Sequence, residues 1–451
     1  MFDVSRLTLK KLVVYNVTNP NAREQPARRA DAVQNTAAAA AIVVVAGIAA
    51  DLVLWPRDEL PAVTPVRQTT FFTDQFIERA SDFRGLQSWL GVASMLVLVL
   101  VPLLIAVFWP RMKQGTASRW VDRRSGVWLG RGGALACAGV AIGVAVLALL
   151  AALPFEFIAF QRSRDFGLSV QSNMGWLGDW LLSTLLILVG VGLMAALAGF
   201  LIRKLGRRWW PVFGICLIAI VAAFQMLGPV VISPLFANFT KVPAGELRTE
   251  TETLAKKAGV NAGEIYLVDA SNRTTGANAY VTGLGSTKRV VIYDTLVKNF
   301  TPAERRLVVA HELGHAHRND LISGLVWFAF VAMASMFAVD LFGRVLAERQ
   351  GAELQSPAAI AMLLAAAMLA VAISQPAANA WSRKIESRAD AFAMKVTGNP
   401  DAAIALERSL TINNLSRPEP PAGLQWFFGT HPTPMQRIGM AVTVRDEQRG
   451  K

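Results

Sequence analysis

Seven long apolar runs alternate with polar, charge-bearing segments along this chain. They lie near 36–55, 86–109, 133–153, 176–202, 209–232, 321–345 and 357–381. A helix needs about 20 residues to cross the hydrocarbon of a bilayer, so each run is read as a transmembrane helix. The second (LGVASMLVLVLVPLLIAVFW) and the fourth (WLLSTLLILVGVGLMAALAGFLI) are the strongest. The first is Ala-rich and holds Asp51 near its end. No apolar core of a signal peptide occurs in the first 30 residues, so this first run is read as an uncleaved insertion signal.

Two stretches break the membrane pattern. Residues 233–318 mix periodicities: ELRTETETLAKKAG reads as an amphipathic helix ended by Gly259, while EIYLVDA and RVVIYDTLV are β-rich runs. The turn-rich SNRTTGANAYVTGLGSTK between them leaves room for a further strand. Residues 382–451 begin helical and become Pro-rich around RPEPPAG. The predicted organisation is a basic N-terminal segment (1–35), five transmembrane helices (36–232), a polar insertion (233–320), transmembrane helices six and seven (321–381) and a C-terminal segment (382–451). The fold class is a mainly α integral membrane protein whose polar α+β domain is split between the insertion and the C-terminal segment.

Composition narrows the function classes. Apolar residues make up 53% of the 451 and charged residues 17%, against about 25% charge in a soluble chain. The two cysteines, Cys137 and Cys216, sit inside apolar runs, which excludes a disulfide framework or a Cys-rich zinc module. The excess of Lys and Arg gives a net charge of +13. Because it lies between membrane spans it speaks for orientation and for anionic lipid headgroups, with no nucleic acid among the partners. Basic residues crowd the segment before the first span (Arg6, Lys10, Lys11, Arg23, Arg28, Arg29), the loop between spans two and three (Arg111, Lys113, Arg119, Arg123, Arg124, Arg131) and RKLGRR between spans four and five. The loop between spans three and four has Arg162 and Arg164 only. On this count the N-terminus is cytoplasmic and the polar insertion lies outside.

The chemistry concentrates in VVAHELGHAHRND, which holds three of the four histidines. His311 and His315 are four apart, one turn of a helix, as two imidazoles on one Zn²⁺ require. Glu312 between them completes H-E-x-x-H, where the acid is the general base. Thr301-Pro302-Ala303-Glu304 is a capping box that starts this helix. His317 points about 200° round the helix from His315 and is expected to be an interfacial polar residue. The third ligand is expected in WSRKIESRADAFAMKV, where Glu386 and Asp390 share a helix face. Like charges at that spacing are unfavourable without a cation. Glu386 then completes a His₂Glu set, and Asp390 either hydrogen-bonds a ligand imidazole or gives a proton to the leaving amine. His431, in THPTPMQRI, is placed to hydrogen-bond an oxyanion or else to cap a turn. Arg437 holds a substrate carboxylate or a neighbouring acid.

HELGH, the later ESRAD and the HPTPMQRI tail resemble the gluzincin membrane peptidases that include the heat-shock peptidase HtpX and the type I CAAX prenyl endopeptidases. SPLFANF, GELRTETETLAKKAGV, IYLVDASNRTTGANAYVTGL and RVVIYDTLV are similar to the second group in order and spacing. The resemblance is dense over about 230–320 and 380–440. It implies a gluzincin-type peptidase domain, one zinc on His311, His315 and Glu386, the base at Glu312 and a functional acid at Asp390. It implies further that Asn278-Ala279-Tyr280 lies on an edge strand that pairs with substrate. The helices would enclose a water-filled chamber with the zinc at its mouth. The expected activity is a zinc metalloendopeptidase that cuts tails of membrane-associated or lipid-modified, CAAX-like proteins. HtpX-like quality control of damaged membrane proteins is the alternative within the class, and a transporter or channel using Asp51 and Asp340 is the alternative outside it. The resemblance implies a cytoplasmic catalytic side, opposite to the loop-charge count, and is taken in preference to it; the Ala- and Arg-rich composition points to a bacterial cell membrane.

Overall fold

A computed structural model describes residues 21–112, 133–283, 288–349, 354 and 357–450. The N-terminal residues before 21 and the basic cluster at 113–131 lie outside these described residues. Long helices dominate: α1 (Asn21–Leu54), α2 (Asp74–Met112), α3 (Ala134–Asp165), α4 (Asn173–Leu205) and α5 (Trp209–Val231). In hydrocarbon only a helix satisfies every backbone polar group of a single spanning segment, and these apolar runs have no other option.

Six continuous helical stretches among the described residues are long and apolar enough to cross a membrane, against seven expected. The difference is Asn173–Leu235, which counts as a single helical stretch of 63 residues where two spans were expected. Straight, it would reach about 95 Å, far beyond a bilayer. Gly206, at φ 55° in a 3₁₀ turn (Gly206–Arg208), divides it, and α4 packs back against α5. Helix ends also overrun the expected spans. Helix α2 starts at Asp74 rather than near 86, because its first three turns stand in the polar domain: Arg84 donates to the Asn414 and Leu415 carbonyls.

Small residues set the membrane packing. Ala39, Ala141, Ala195, Ala198, Ala338, Ala366 and Ala370 line one buried cluster with Trp209 and Phe213. At Gly199 a methyl group would come within 2.5 Å of the Cys137 sulfur, so glycine there permits the close approach of α3 and α4. Both cysteines are free.

The polar domain follows α5. Its elements are β1 (Phe239–Lys241), α6 (Glu246–Lys257), β2 (Glu264–Val268), β3 (Ala279–Thr282), β4 (Arg289–Tyr293), α7 (Asp294–Asn299) and α8 (Pro302–Arg318). The sheet order is β1-β2-β4-β3, with β2 parallel to β4 and β3 antiparallel to it. The run RVVIYDTLV is a strand only to Tyr293. Asp294 then opens α7, its carboxylate accepting from the Ser271 backbone N–H and from Lys298. Ile265, Val290, Ile292, Leu296, Leu307, Leu313 and Ile438 form the core between sheet and helices.

After α8 come α9 (Asp320–Arg349), α10 (Pro357–Thr397), α11 (Pro400–Asn413), α12 (Ala422–Phe428) and α13 (Pro434–Arg449). Helix α10 is continuous from the membrane into the polar domain, so Glu386 and Asp390 stand on the extension of a spanning helix.

Candidate active site

Helix α8 forms as its sequence predicts. The Thr301 hydroxyl accepts from the Glu304 N–H at 3.3 Å and the Glu304 carboxylate accepts from the Thr301 N–H at 2.8 Å. The helix ends at Asn319, in the left-handed region at φ 54°, which Asn tolerates better than most residues. Helix α10 crosses α8 at Gly314, where a methyl group would meet the Phe392 ring at 3.0 Å and the Ala389 Cα at 3.4 Å. The absent side chain lets the two helices close on each other.

That closure brings His311, His315 and Glu386 together, with donor atoms all within 4.8 Å of one another. His311 Nε2 is 3.1 Å from Glu386 Oε2 and 3.2 Å from His315 Nε2, and His315 Nε2 is 3.8 Å from Glu386 Oε1. Ligands about 2.0–2.1 Å from a tetrahedral ion stand about 3.4 Å apart. The outer nitrogens decide the tautomers. His311 Nδ1 faces Asp390 Oδ1 at 2.8 Å and His315 Nδ1 faces Asp320 Oδ2 at 2.9 Å. Each Nδ1 carries the proton to its carboxylate, so in the neutral rings both Nε2 lone pairs point inward. Two lone pairs and a carboxylate converge, a donor set that needs a cation. The same need appears at His311: burial opposes a charge there, but Asp390 and Glu386 outweigh it and push the pKa up to about 10.

The remaining predicted residues fall around this cluster. Glu312 lies in a cavity of about 360 Å³ that His311, Asn278, His431 and Arg437 also line. Burial raises its pKa, against a hydrogen bond from the Val281 N–H. Asp390 takes the imidazole-bonding option and sits behind His311. Arg437 takes the neighbouring-acid option, donating to Asp390 at 2.6 and 2.8 Å and pairing with Glu407 at 2.8 Å. His431 Nε2 is 3.3 Å from Glu386 Oε2, with its Nδ1 against Thr430. His317 stacks on Phe392, outside the cluster.

Asn278, Ala279 and Tyr280 enter β3, an edge of the sheet. The Asn278 carbonyl accepts from the Tyr293 N–H, and the Asn278 side chain accepts from the Ala279 N–H. This register turns the backbone groups of Ala279 and Val281 away from β4.

Four residues were missed. Asp320 had a signal, an acid immediately after the helix that carries H-E-x-x-H. Arg388, two residues after Glu386 on the same helix, is 12% exposed and donates to Asp320. Glu407 and Asp58 had none, since their partners are distant in sequence.

Residues 241–444 match Peptidase family M48, and residues 63–238 match the family described as CAAX prenyl protease N-terminal, five membrane helices. The Bacillus subtilis protein described as an uncharacterized metalloprotease, YhfN, is 29% identical over 66% of this chain and 72% of its own length. Probable CAAX prenyl protease 1 of Schizosaccharomyces pombe is 32% identical over 48% of this chain and 46% of its own length. CAAX prenyl protease 1 of Saccharomyces cerevisiae is 27% identical over 65% and 69%. The crystal structure of S. mikatae Ste24p superposes with a TM-score of 0.69 over 90% of this chain and 99% of that one, at 20% identity. Site, fold and matches agree: residues 241–444 form a family M48 peptidase domain behind a membrane domain of the CAAX prenyl protease N-terminal type, and the protein is a membrane metalloendopeptidase.

Proposed function

We propose that this protein holds one zinc ion on His311, His315 and Glu386 and cuts extended tails of membrane-associated or lipid-modified, CAAX-like proteins. The observation that carries the reading is the donor set itself, two inward imidazole lone pairs and one carboxylate around a gap of metal size, with a carboxyl base beside it. Two nitrogens and one oxygen with a position left open is a catalytic zinc arrangement. When bound, zinc supplies a polarised scissile carbonyl and an acidified water.

The protein's own groups do the rest. Glu312, kept basic by burial, takes a proton from water in the cavity and passes it to the departing nitrogen. His431, beside Glu386, donates to the oxygen that becomes charged. Asp390 and Asp320 fix the two imidazoles from behind, and Arg437 fixes Asp390. The outward carbonyls of Ala279 and Val281 accept from the N–H groups of an extended substrate, which helps satisfy a tail that has left water. The relatives named CAAX prenyl protease 1 support CAAX-type tails as the substrate class. The resemblance to that group supports a cytoplasmic catalytic side.

The test uses the purified full chain and a pair of CAAX-type peptides, prenylated and unprenylated. Cleavage that stops with a chelator, returns with Zn²⁺ and is absent in Glu312→Gln is the expected result. Failure to cut either peptide, with cleavage of unfolded membrane proteins instead, would favour HtpX-like quality control.

One observation favours a second reading of the orientation. Helix α2 leaves the polar domain at Asp74 and ends at Met112 on the opposite face, where Ala106 meets Ala361 and Met362 near the start of α10. RKLGRR lies on that same face, since Trp209 reaches Asp340, some 20 residues along α9 from the candidate metal site. RKLGRR and the Met112 end of α2 therefore lie opposite the catalytic domain, and the charge rule would hold that face in the cytoplasm. Single cysteines at Ser271 and Ser416, with Cys137 and Cys216 replaced by Ala, separate the readings in intact cells. Protection from a membrane-impermeant thiol reagent supports the cytoplasmic side, and labelling of both in active protein supports the exterior.

A further inference from the structure

Asp58 lies in the linker between α1 and α2, just before the residues that match either family. Its carboxylate joins the two helices that carry the proposed metal ligands. Oδ1 accepts from Arg318 Nη1 at 2.8 Å, at the end of α8, and Oδ2 is 3.2 Å from Arg388 Nη1 on α10. Arg388 Nη2 then donates to Asp320 Oδ1 at 2.7 Å, and Asp320 Oδ2 accepts from His315 Nδ1 at 2.9 Å. Side-chain exposure falls along this line, from 37% at Asp58 to 12% at Arg388 and 7% at Asp320. Burial pushes the Asp58 carboxyl up, but Arg318 and Arg388 hold it below its ordinary value.

We propose that Asp58 is a positioning residue for the metal site, the outermost member of a carboxylate–guanidinium–carboxylate relay that fixes His315 from behind. The proposal rests on the reading that His315 holds the metal. His315 presents its Nε2 lone pair to the donor set only while Nδ1–H points at Asp320. Asp320 keeps that orientation because Arg388 holds its second oxygen, and the guanidinium is planar, so a second carboxylate on its other nitrogen fixes that plane. Without Asp58 the whole charge of Arg388 falls on Asp320. That carboxylate then polarises the His315 N–H less, and Nε2 becomes a weaker donor. The N-terminal segment so reaches the metal through three side chains without touching it. The linker is docked separately: the Thr64 N–H donates to the Gly439 carbonyl at 3.3 Å, and its hydroxyl meets that of Thr443 at 2.8 Å. Docking and relay can therefore be separated.

The experiment follows zinc loss from the detergent-purified full chain to excess chelator, with the visible absorption of the Co²⁺-substituted protein as a second readout. Removal of a direct outer-shell partner costs about 10–100-fold in metal affinity, so two steps further out Asp58→Asn should speed zinc loss by roughly three- to tenfold and shift the Co²⁺ bands. Asp58→Glu should restore both, and Thr64→Val should match wild type. Zinc loss and a spectrum unchanged in Asp58→Asn would overturn the proposal, as would equal acceleration by Thr64→Val. If Asp58→Asn does not purify folded, Asp58→Ser is read by the same criteria. Wild-type protein that takes up no zinc, or His315→Ala that keeps it, would overturn the metal-site reading itself.

Discussion

At the residue scale, the account turns on charges held in place by their neighbours. Glu312→Gln keeps the volume of the side chain and removes the base, so turnover should fall by about a thousandfold or more while bound metal and melting temperature stay near wild type. Arg437 is the cation between Asp390 and Glu407. Arg437→Met leaves Glu407 without its cation and Asp390 with His311 alone, and should cost about 3 kcal/mol or more, read as a lowered melting temperature. Away from the site, burial pushes the Asp294 carboxyl up, but Lys298 and Ser271 overcome it and pull the pKa down to about 2. Its stabilising contribution is therefore complete above the ordinary 3.8 and is lost as pH falls from there toward 2. Asp294→Asn should flatten the dependence of melting temperature on pH in that window. His311, His315, Glu386 and Asp390 were legible because each pair lies within one helical turn, where spacing fixes the face. Asp58 was not: it meets Arg318 across 260 residues, and no local pattern encodes that contact.

The element scale explains why two helices distant in sequence form one site. Gly314 is the crossing point of α8 and α10, with Phe392 and Ala389 against its bare Cα. Gly314→Val should push the helices apart and move Glu386 off the two imidazoles. Zinc content should drop while the capping box at Thr301 and Glu304 keeps α8 helical, a split that metal analysis and circular dichroism together can read. The capping box, the helix ended by Gly259 and the two β-rich runs were readable from period and punctuation. The turn of the chain at Tyr293 was not, because the DTLV that follows the strand is apolar enough to continue it. What stops it is the Asp294 carboxylate capturing the Ser271 N–H from another loop. The edge position of β3 came from resemblance and not from pattern, since alternation along four residues does not distinguish an edge from a centre.

For the whole molecule, a membrane bundle and a polar domain share helices rather than a linker. Helix α10 runs from the bundle into the site, and α2 begins among the polar domain's loops. Among the described residues, each of the six helical stretches long and apolar enough to cross a membrane contains a run that hydropathy located, because lipid leaves no alternative to a helix. It did not locate their ends, because α2 and α10 continue into the polar domain with their backbones still hydrogen-bonded. The two apolar runs on either side of Gly206 are two helices, Asn173–Leu205 and Trp209–Val231, joined by the 3₁₀ turn. The central claim is that α8 and the extension of α10 together hold one catalytic metal ion. Its most direct test is the zinc content per chain of purified wild type and Glu386→Ala measured side by side. The account predicts about one zinc in wild type and almost none in the variant. A wild type without zinc, or a Glu386→Ala protein that keeps a full equivalent, would contradict it.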